Sequence, residues 1–242
     1  MTPQAAMLNA APIEARALDK SFGATPVLRG ITLRVEAGRG AAIVGGNGTG
    51  KSTLLRVLAG LSAPDSGSAS LFGAAASNLA APLRRRVGFV SHLSFLYPNL
   101  TARENLEFYG ALYCLADTRA LASAWLDRVG LATAADLRVA GFSRGMEQRL
   151  TLARALMPAP DAILLDEPFA ALDSDGADRA MRLINEALAR DAAVLVTAHS
   201  AVALEAEGFE IYHLVRGRLE SIKAPLTHQA VAHDPLRPAA AG

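Results

Sequence analysis

The chain contains a single cysteine, Cys114, in 242 residues. No disulfide framework can form within it, and a lone thiol fits a reducing compartment. An excess of either charge is missing too: 24 lysines and arginines stand against 23 aspartates and glutamates, a formal net charge of +1. Nucleic-acid binders draw affinity from a basic surface, so no nucleic-acid partner is expected. Long apolar runs are absent. "DAILLDEP" and "DAAVLVTAH" are strand-length, against the ~20 residues that a membrane-spanning helix needs. The N-terminal "MTPQAAMLNAAPIEA" lacks a basic segment followed by an apolar one and does not read as a signal peptide. His228 and His233 have no ligand cluster beside them, and no internal repeat is visible.

What is present is apolar mass, 51% of the residues, enough for a sizeable core. From Ile13 to Val44 the pattern reads as strands and turns, and "ITLRVEAGRGAAIV" passes from alternation through a glycine turn to a continuous apolar strand. Helical periodicity follows over 52–59. Strand signals return at "SAPDSGSASLFG" and over 87–90. From Thr101 to Met157 the pattern is helical, with Ser143 opening the last helix; "DAILLD", a helix near 175–190 and "AVLVTA" complete the alternation. The expected fold class is α/β: a mixed or mostly parallel sheet, an N-terminal antiparallel β-subdomain, and a helical subdomain inserted at about 92–157. The expected organisation is one domain over 13–224, with unstructured ends at 1–12 and 225–242.

One stretch, "GGNGTGKS", places Gly45, Gly48 and Gly50 around Lys51, between a strand and a helix. That is the phosphate-loop pattern in its confirming context. Inward-turned backbone N–H groups make an anion nest that side chains would block. The following helix adds positive potential at its N-terminus. Lys51 supplies a full charge to β- and γ-phosphates, and the Ser52 hydroxyl can ligate Mg²⁺. The expected phosphate contacts are Gly45, Gly46, Asn47, Gly48, Thr49, Gly50, Lys51, Ser52 and Thr53.

A second chemical signal is "AILLDEP". Four apolar residues make a buried strand, and Asp166 and Glu167 emerge at its end. Asp166 is placed to hold the metal, and Glu167 to act as general base on a water attacking the γ-phosphate.

With these motifs the chain resembles the ATP-binding-cassette ATPases, over about 13–223. "FSRGMEQR" stands where that family has its "LSGGQ" signature, "ALD" looks like its D-loop, and "TAH" like its switch histidine. The resemblance implies ATP and Mg²⁺ as ligands, Phe22 stacking on adenine, and His199 bonding the γ-phosphate and water. It also implies that Ser143, Gly145 and Asp173 serve the nucleotide of a second copy in a head-to-tail dimer. Integral membrane permease subunits are the other implied partner. They would dock on the helical block around 103–113, with Arg103, Glu104 and Glu107 as its charges, and the chain would sit peripherally on the cytoplasmic face of the inner membrane.

Three features depart from the family. The signature has Phe142, Arg144 and Met146 where leucine, glycine and glutamine are usual. Gly46 replaces a frequent proline or serine. His92 stands in place of the Q-loop glutamine, which gives it a catalytic role by position. That histidine, followed by "LTARENLEFY" from Leu100, is similar to the heme-exporter ATPases of cytochrome c maturation. The signature also suits exporters of drugs, lipids or polysaccharides with separate ABC-2-type permeases. A regulatory or non-transport cassette with weak hydrolysis is a further alternative.

Overall fold

The computed structural model describes residues 11–221. Of the expected unstructured ends, only Ala11 and Pro12 fall among these, and Ala11 is buried; His228 and His233 lie outside the described residues. The chain opens with β1 (Ile13–Phe22), β2 (Thr25–Val35), β3 (Gly40–Val44), α1 (Lys51–Leu58), β4 (Ser66–Leu71), β5 (Ala74–Ala75), α2 (Ala81–Arg84) and β6 (Val87–Val90). Next come three helices, α3 (Ala102–Leu112), α4 (Thr118–Arg128) and α5 (Arg144–Leu156). The remainder is β7 (Ala162–Asp166), α6 (Ser174–Leu188), β8 (Ala193–Ala198), α7 (Val202–Ala206), β9 (Glu210–Val215) and β10 (Arg218–Ser221).

Two sheets result. An antiparallel one has the order β2-β1-β4-β5, and a mixed one has the order β10-β9-β3-β8-β7-β6. In the mixed sheet β9, β3, β8, β7 and β6 are parallel, and β10 closes one edge antiparallel. The central strands are buried along almost their whole length because both faces are covered. Alternate residues serve different cores. Ala42, Val44, Leu165 and Val196 pack with Leu106, Leu150 and Leu183 of the helices. Ala41, Ile43, Leu164 and Leu195 pack with Ile13, Leu33, Leu54 and Leu58 of the β-subdomain and α1. Each fully buried leucine contributes about 1.5–3 kcal/mol.

The helical block is anchored at α3. Thr101 and Glu104 form a reciprocal capping box. One turn further in, Asn105 is fully buried. Its Oδ1 accepts from the Tyr97 N–H at 2.8 Å, and its Nδ2 donates to the carbonyls of Tyr97 and Thr101 at 3.1 and 2.9 Å. This side chain satisfies the turn that precedes the helix. Asn105→Ala leaves the Tyr97 N–H without its acceptor, while the Tyr97 and Thr101 carbonyls keep the backbone donors Leu100 N–H and Asn105 N–H; an unpaired buried group costs about 1–3 kcal/mol. The expected result is a stability loss of roughly 2–3 kcal/mol and a Tm lower by roughly 4–12 °C. An unchanged Tm in calorimetry would contradict it.

Candidate functional site

Strand register gathers the site. Val44 of β3 pairs with Ala198 of β8, Thr197 of β8 with Asp166 of β7, and Leu165 of β7 with Val90 of β6. The segments after β3, β6, β7 and β8 therefore leave the sheet along one edge, the carboxyl end of parallel strands where ligands bind.

The segment after β3 is the glycine loop. Gly50 has φ 107°, a backbone conformation open to glycine, and its carbonyl accepts the first bond of α1 from Leu54 N–H at 2.9 Å. Gly45 is needed for space: a Cβ there would lie 2.9 Å from the Leu214 carbonyl oxygen and 2.9 Å from Thr49 Oγ1. Thr49 Oγ1 in turn donates to the Gly46 carbonyl at 3.0 Å. Lys51 starts α1 and is only 5% exposed. Its Nζ donates to the carbonyls of Gly45 and Gly46 at 2.8 and 3.0 Å, so the ammonium lies folded into the loop.

The segment after β7 faces it. Asp166 is buried and accepts a bond from Thr197 Oγ1 at 2.7 Å. The same Thr197 oxygen accepts from the Glu167 N–H at 3.0 Å, and the Thr197 carbonyl shares that donor at 3.2 Å. Glu167 has φ 49°. A non-glycine residue in that region costs about 1–3 kcal/mol and is typical of functional sites. The turn delivers the Glu167 carboxylate between two basic groups: Oε1 is 3.4 Å from Lys51 Nζ and 3.1 Å from His199 Nε2.

Lys51, Glu167, Phe22, Asn47, Gly48, Gly50, Ser52 and Thr53 of the expected set line one cleft of about 290 Å³. Phe22 is at the tip of β1, 57% exposed, with Lys20 Nζ 5.7 Å from its ring centroid. Thr197 and Val27 were not expected. A polar residue inside the apolar strand "AVLVTA" was the signal for Thr197; nothing local marks Val27.

Other expected residues stand apart from the cleft. Ser143 caps α5 by accepting from Met146 N–H at 3.2 Å, and Gly145 is half-buried in the first turn. Asp173 caps α6 by accepting from Gly176 N–H at 2.8 Å. His92 is exposed and pairs with Arg56 of α1, Nε2 to Nη2 at 3.1 Å. A guanidinium only donates, so that ring nitrogen accepts. Arg56 had no mark in the sequence beyond its helical position. Of the expected docking charges, Glu104 is held in the capping box, and Arg103 pairs with Asp136 at 3.0 Å and donates to Ser123 at 2.7 Å. The exposed face here is apolar: Phe95, Tyr97 and Phe108, with Tyr97 and Phe108 edge to face at 4.9 Å. Beneath it Arg154 is buried, donates to the Phe89 carbonyl at 2.7 Å and lies under the rings of Phe95 and Tyr109. Burial pulls the Arg154 pKa below the usual guanidinium value.

The donor set suits a magnesium nucleotide. A loop closed to a Cβ at Gly45 and a buried ammonium fit phosphates. One hydroxyl, Ser52, and one carboxylate, Asp166, are hard oxygen ligands, as Mg²⁺ prefers when phosphates and water complete its shell. Among the described residues no cluster of three His, Cys, Asp or Glu offers a metal cage of its own. No helix among them is long and apolar enough to cross a membrane.

Comparison with known proteins agrees with this geometry. A family profile described as ABC transporter matches residues 28–170. Over 191 residues the chain is 39% identical to the Nod factor export ATP-binding protein I of Burkholderia lata, covering 78% of this chain and 63% of that protein. It is 39% identical over 218 residues to the Fe(3+) ions import ATP-binding protein FbpC 2 of Rhodococcus jostii, covering 88% of this chain and 62% of that one. The chain thus spans less than two thirds of these relatives' length. Among solved structures, it is similar to the dimeric structure of MJ0796, a bacterial ABC transporter cassette, with TM-score 0.79 and 28% identity over 86% of this chain and 96% of that one. The post-hydrolysis dimer of that cassette bound to ADP and Pi gives TM-score 0.77 and 27% identity, with the same coverage of both chains.

Proposed function

The chain belongs to the ABC transporter family, and from that premise we propose that it is the ATP-binding and ATP-hydrolysing subunit that powers a separate membrane permease. One observation carries the proposal: Glu167 Oε1 stands within 3.4 Å of Lys51 Nζ and 3.1 Å of His199 Nε2 beside the glycine loop. A base, a cation and an imidazole are thereby collected where a terminal phosphate and its attacking water would meet.

Two copies bind two Mg-ATP head to tail. Phe22 stacks on the base, and the loop from Gly45 to Thr53 takes the phosphates. Ser52 and Asp166 would hold magnesium, which would supply positive charge to the phosphate oxygens. Phosphate gives Lys51 a stronger anionic partner than Glu167, so the carboxylate is freed to accept a proton from water. The water oxygen attacks the γ-phosphorus, the bond to the bridging oxygen breaks, and ADP and phosphate leave. His199 bonds the γ-phosphate during attack. Ser143 and Gly145, with Asp173, act across the interface on the nucleotide held by the other copy. Without the γ-phosphate that bridge is lost and the dimer opens. The permease rests on the apolar face at Phe95, Tyr97 and Phe108, which holds the chain peripherally on the cytoplasmic side of the inner membrane. Purified chain should release phosphate steadily from Mg-ATP; binding without release would leave only the regulatory alternative.

For cargo, His92 with "LTARENLEFY" favours heme export in cytochrome c maturation. The 39% identity to a protein named for Nod factor export favours instead an ABC-2-type exporter of drug, lipid or polysaccharide. Disrupting the gene and staining c-type cytochromes for heme separates them: loss of the stain supports the first, and a normal stain supports the second.

The Q-loop position gives a sharper expectation. Glutamine can accept from Arg56 as the imidazole does, and it restores an amide oxygen. His92→Gln is expected to leave ATP turnover intact or to raise it, measured as phosphate release at saturating Mg-ATP. Abolished turnover would mean that the ring itself is required.

A further inference from the structure

A second cavity, of about 390 Å³, meets the nucleotide cleft at Glu167, a side chain that lines both. His199 belongs to its wall as well. The two spaces differ in chemistry. The nucleotide cleft contains Lys51 and the start of α1, and suits an anion. The second cavity has an apolar floor that includes the half-buried Phe169 and Met181. Among the described residues its carboxylates are Glu167, Asp178 and Glu207, His199 is its one basic side chain, and no lysine or arginine lines it. Glu207 is held in place by Asn185 Nδ2 at 2.7 Å. Small-ligand pockets run from about 300 to 1,000 Å³, so this one suits a ligand at the small end of that range, about one ring system with a short chain.

We propose that this cavity is a second ligand site that takes a small amphipathic cation, with its apolar ring on Phe169 and Met181 and its ammonium toward the carboxylates. Anionic ligands are disfavoured there for the reason that they are favoured in the cleft next to it. An ammonium paired with Glu167 draws the carboxylate from Lys51 and His199. Hydrolysis then falls while the phosphate loop stays open to nucleotide. This regulatory consequence rests on the ATPase function proposed above; the binding site itself does not.

The test uses tryptamine, with tryptophol and indole acetate as neutral and anionic counterparts, titrated into the full chain by calorimetry with and without Mg-ATP. Tryptamine should bind roughly tenfold more tightly than either counterpart, the worth of one charge-assisted bond, in both conditions. Ala203→Phe fills the rim from an exposed position, and Asp178→Asn removes one charge without changing size. Each should weaken tryptamine binding several-fold and leave ATP affinity unchanged. Phosphate release should fall with tryptamine and not recover with added ATP. Equal binding of the amine and the acid, or unchanged amine binding in both variants, overturns the site. A chain that releases no phosphate under any condition refutes the proposed ATPase function, and the binding comparison still decides the cavity.

Discussion

Glu167→Gln is expected to lower ATP turnover by about 10²–10⁴-fold, the usual cost of losing a positioned general base, with ATP affinity equal or higher. The amide has the size of the carboxylate and keeps a hydrogen-bonding oxygen for Lys51 and His199, but it cannot take the proton of the attacking water. Backbone placement is untouched, because the two Thr197 oxygens bind the Glu167 N–H. Strain at φ 49° is shared by either residue. Affinity holds because the substitution removes an anion that competes with phosphate for Lys51 at 3.4 Å. Phosphate release and direct ATP binding, measured on the same preparation, separate the two effects. Wild-type turnover would remove Glu167 from the mechanism.

Lys51→Met carries the second large effect, on binding. The ammonium is 5% exposed and donates to two loop carbonyls. The methionine side chain keeps much of the apolar stem and removes the charge. Truncating one partner of a buried, hydrogen-bonded charge pair costs about 2–5 kcal/mol, which is roughly 30-fold to several-thousand-fold in ATP affinity. Glu167 keeps His199 as a partner, so the apo fold should survive with modest change in Tm. Titration with ATP reads the affinity, and calorimetry of the nucleotide-free chain reads the fold. Full affinity without the lysine would mean that the loop is not where phosphate binds.

The grouping of the candidate residues was legible where its signal is local. A glycine loop between a strand and a helix, an acidic pair ending an apolar strand, and a histidine after the next strand each occupy a few consecutive residues. The unalternating runs of β3, β7 and β8 announced a sheet covered on both faces, and the structure has it. Links between those runs were not legible. Thr197 joins Asp166 to Glu167 only because β7 and β8 pair in that register. Arg56 meets His92 from 36 residues away. Arg103 and Glu104, read as charges of a docking surface, each have a partner that tertiary structure or a cap supplies. The hairpin of β9 and β10 went unread because its strands alternate polar residues. Its turn, Arg216–Gly217 with both residues at positive φ, was the available clue. The second cavity has no linear signature, since its walls come from the segment after β7, from α6, from the end of β8 and from α7.

The central claim is that two copies grip ATP between them and let go when its terminal bond is cut. Sedimentation of the Glu167→Gln chain with and without Mg-ATP tests this most directly. A monomer without nucleotide that becomes a dimer retaining two ATP is the result the account requires. A chain that stays monomeric at saturating Mg-ATP contradicts it.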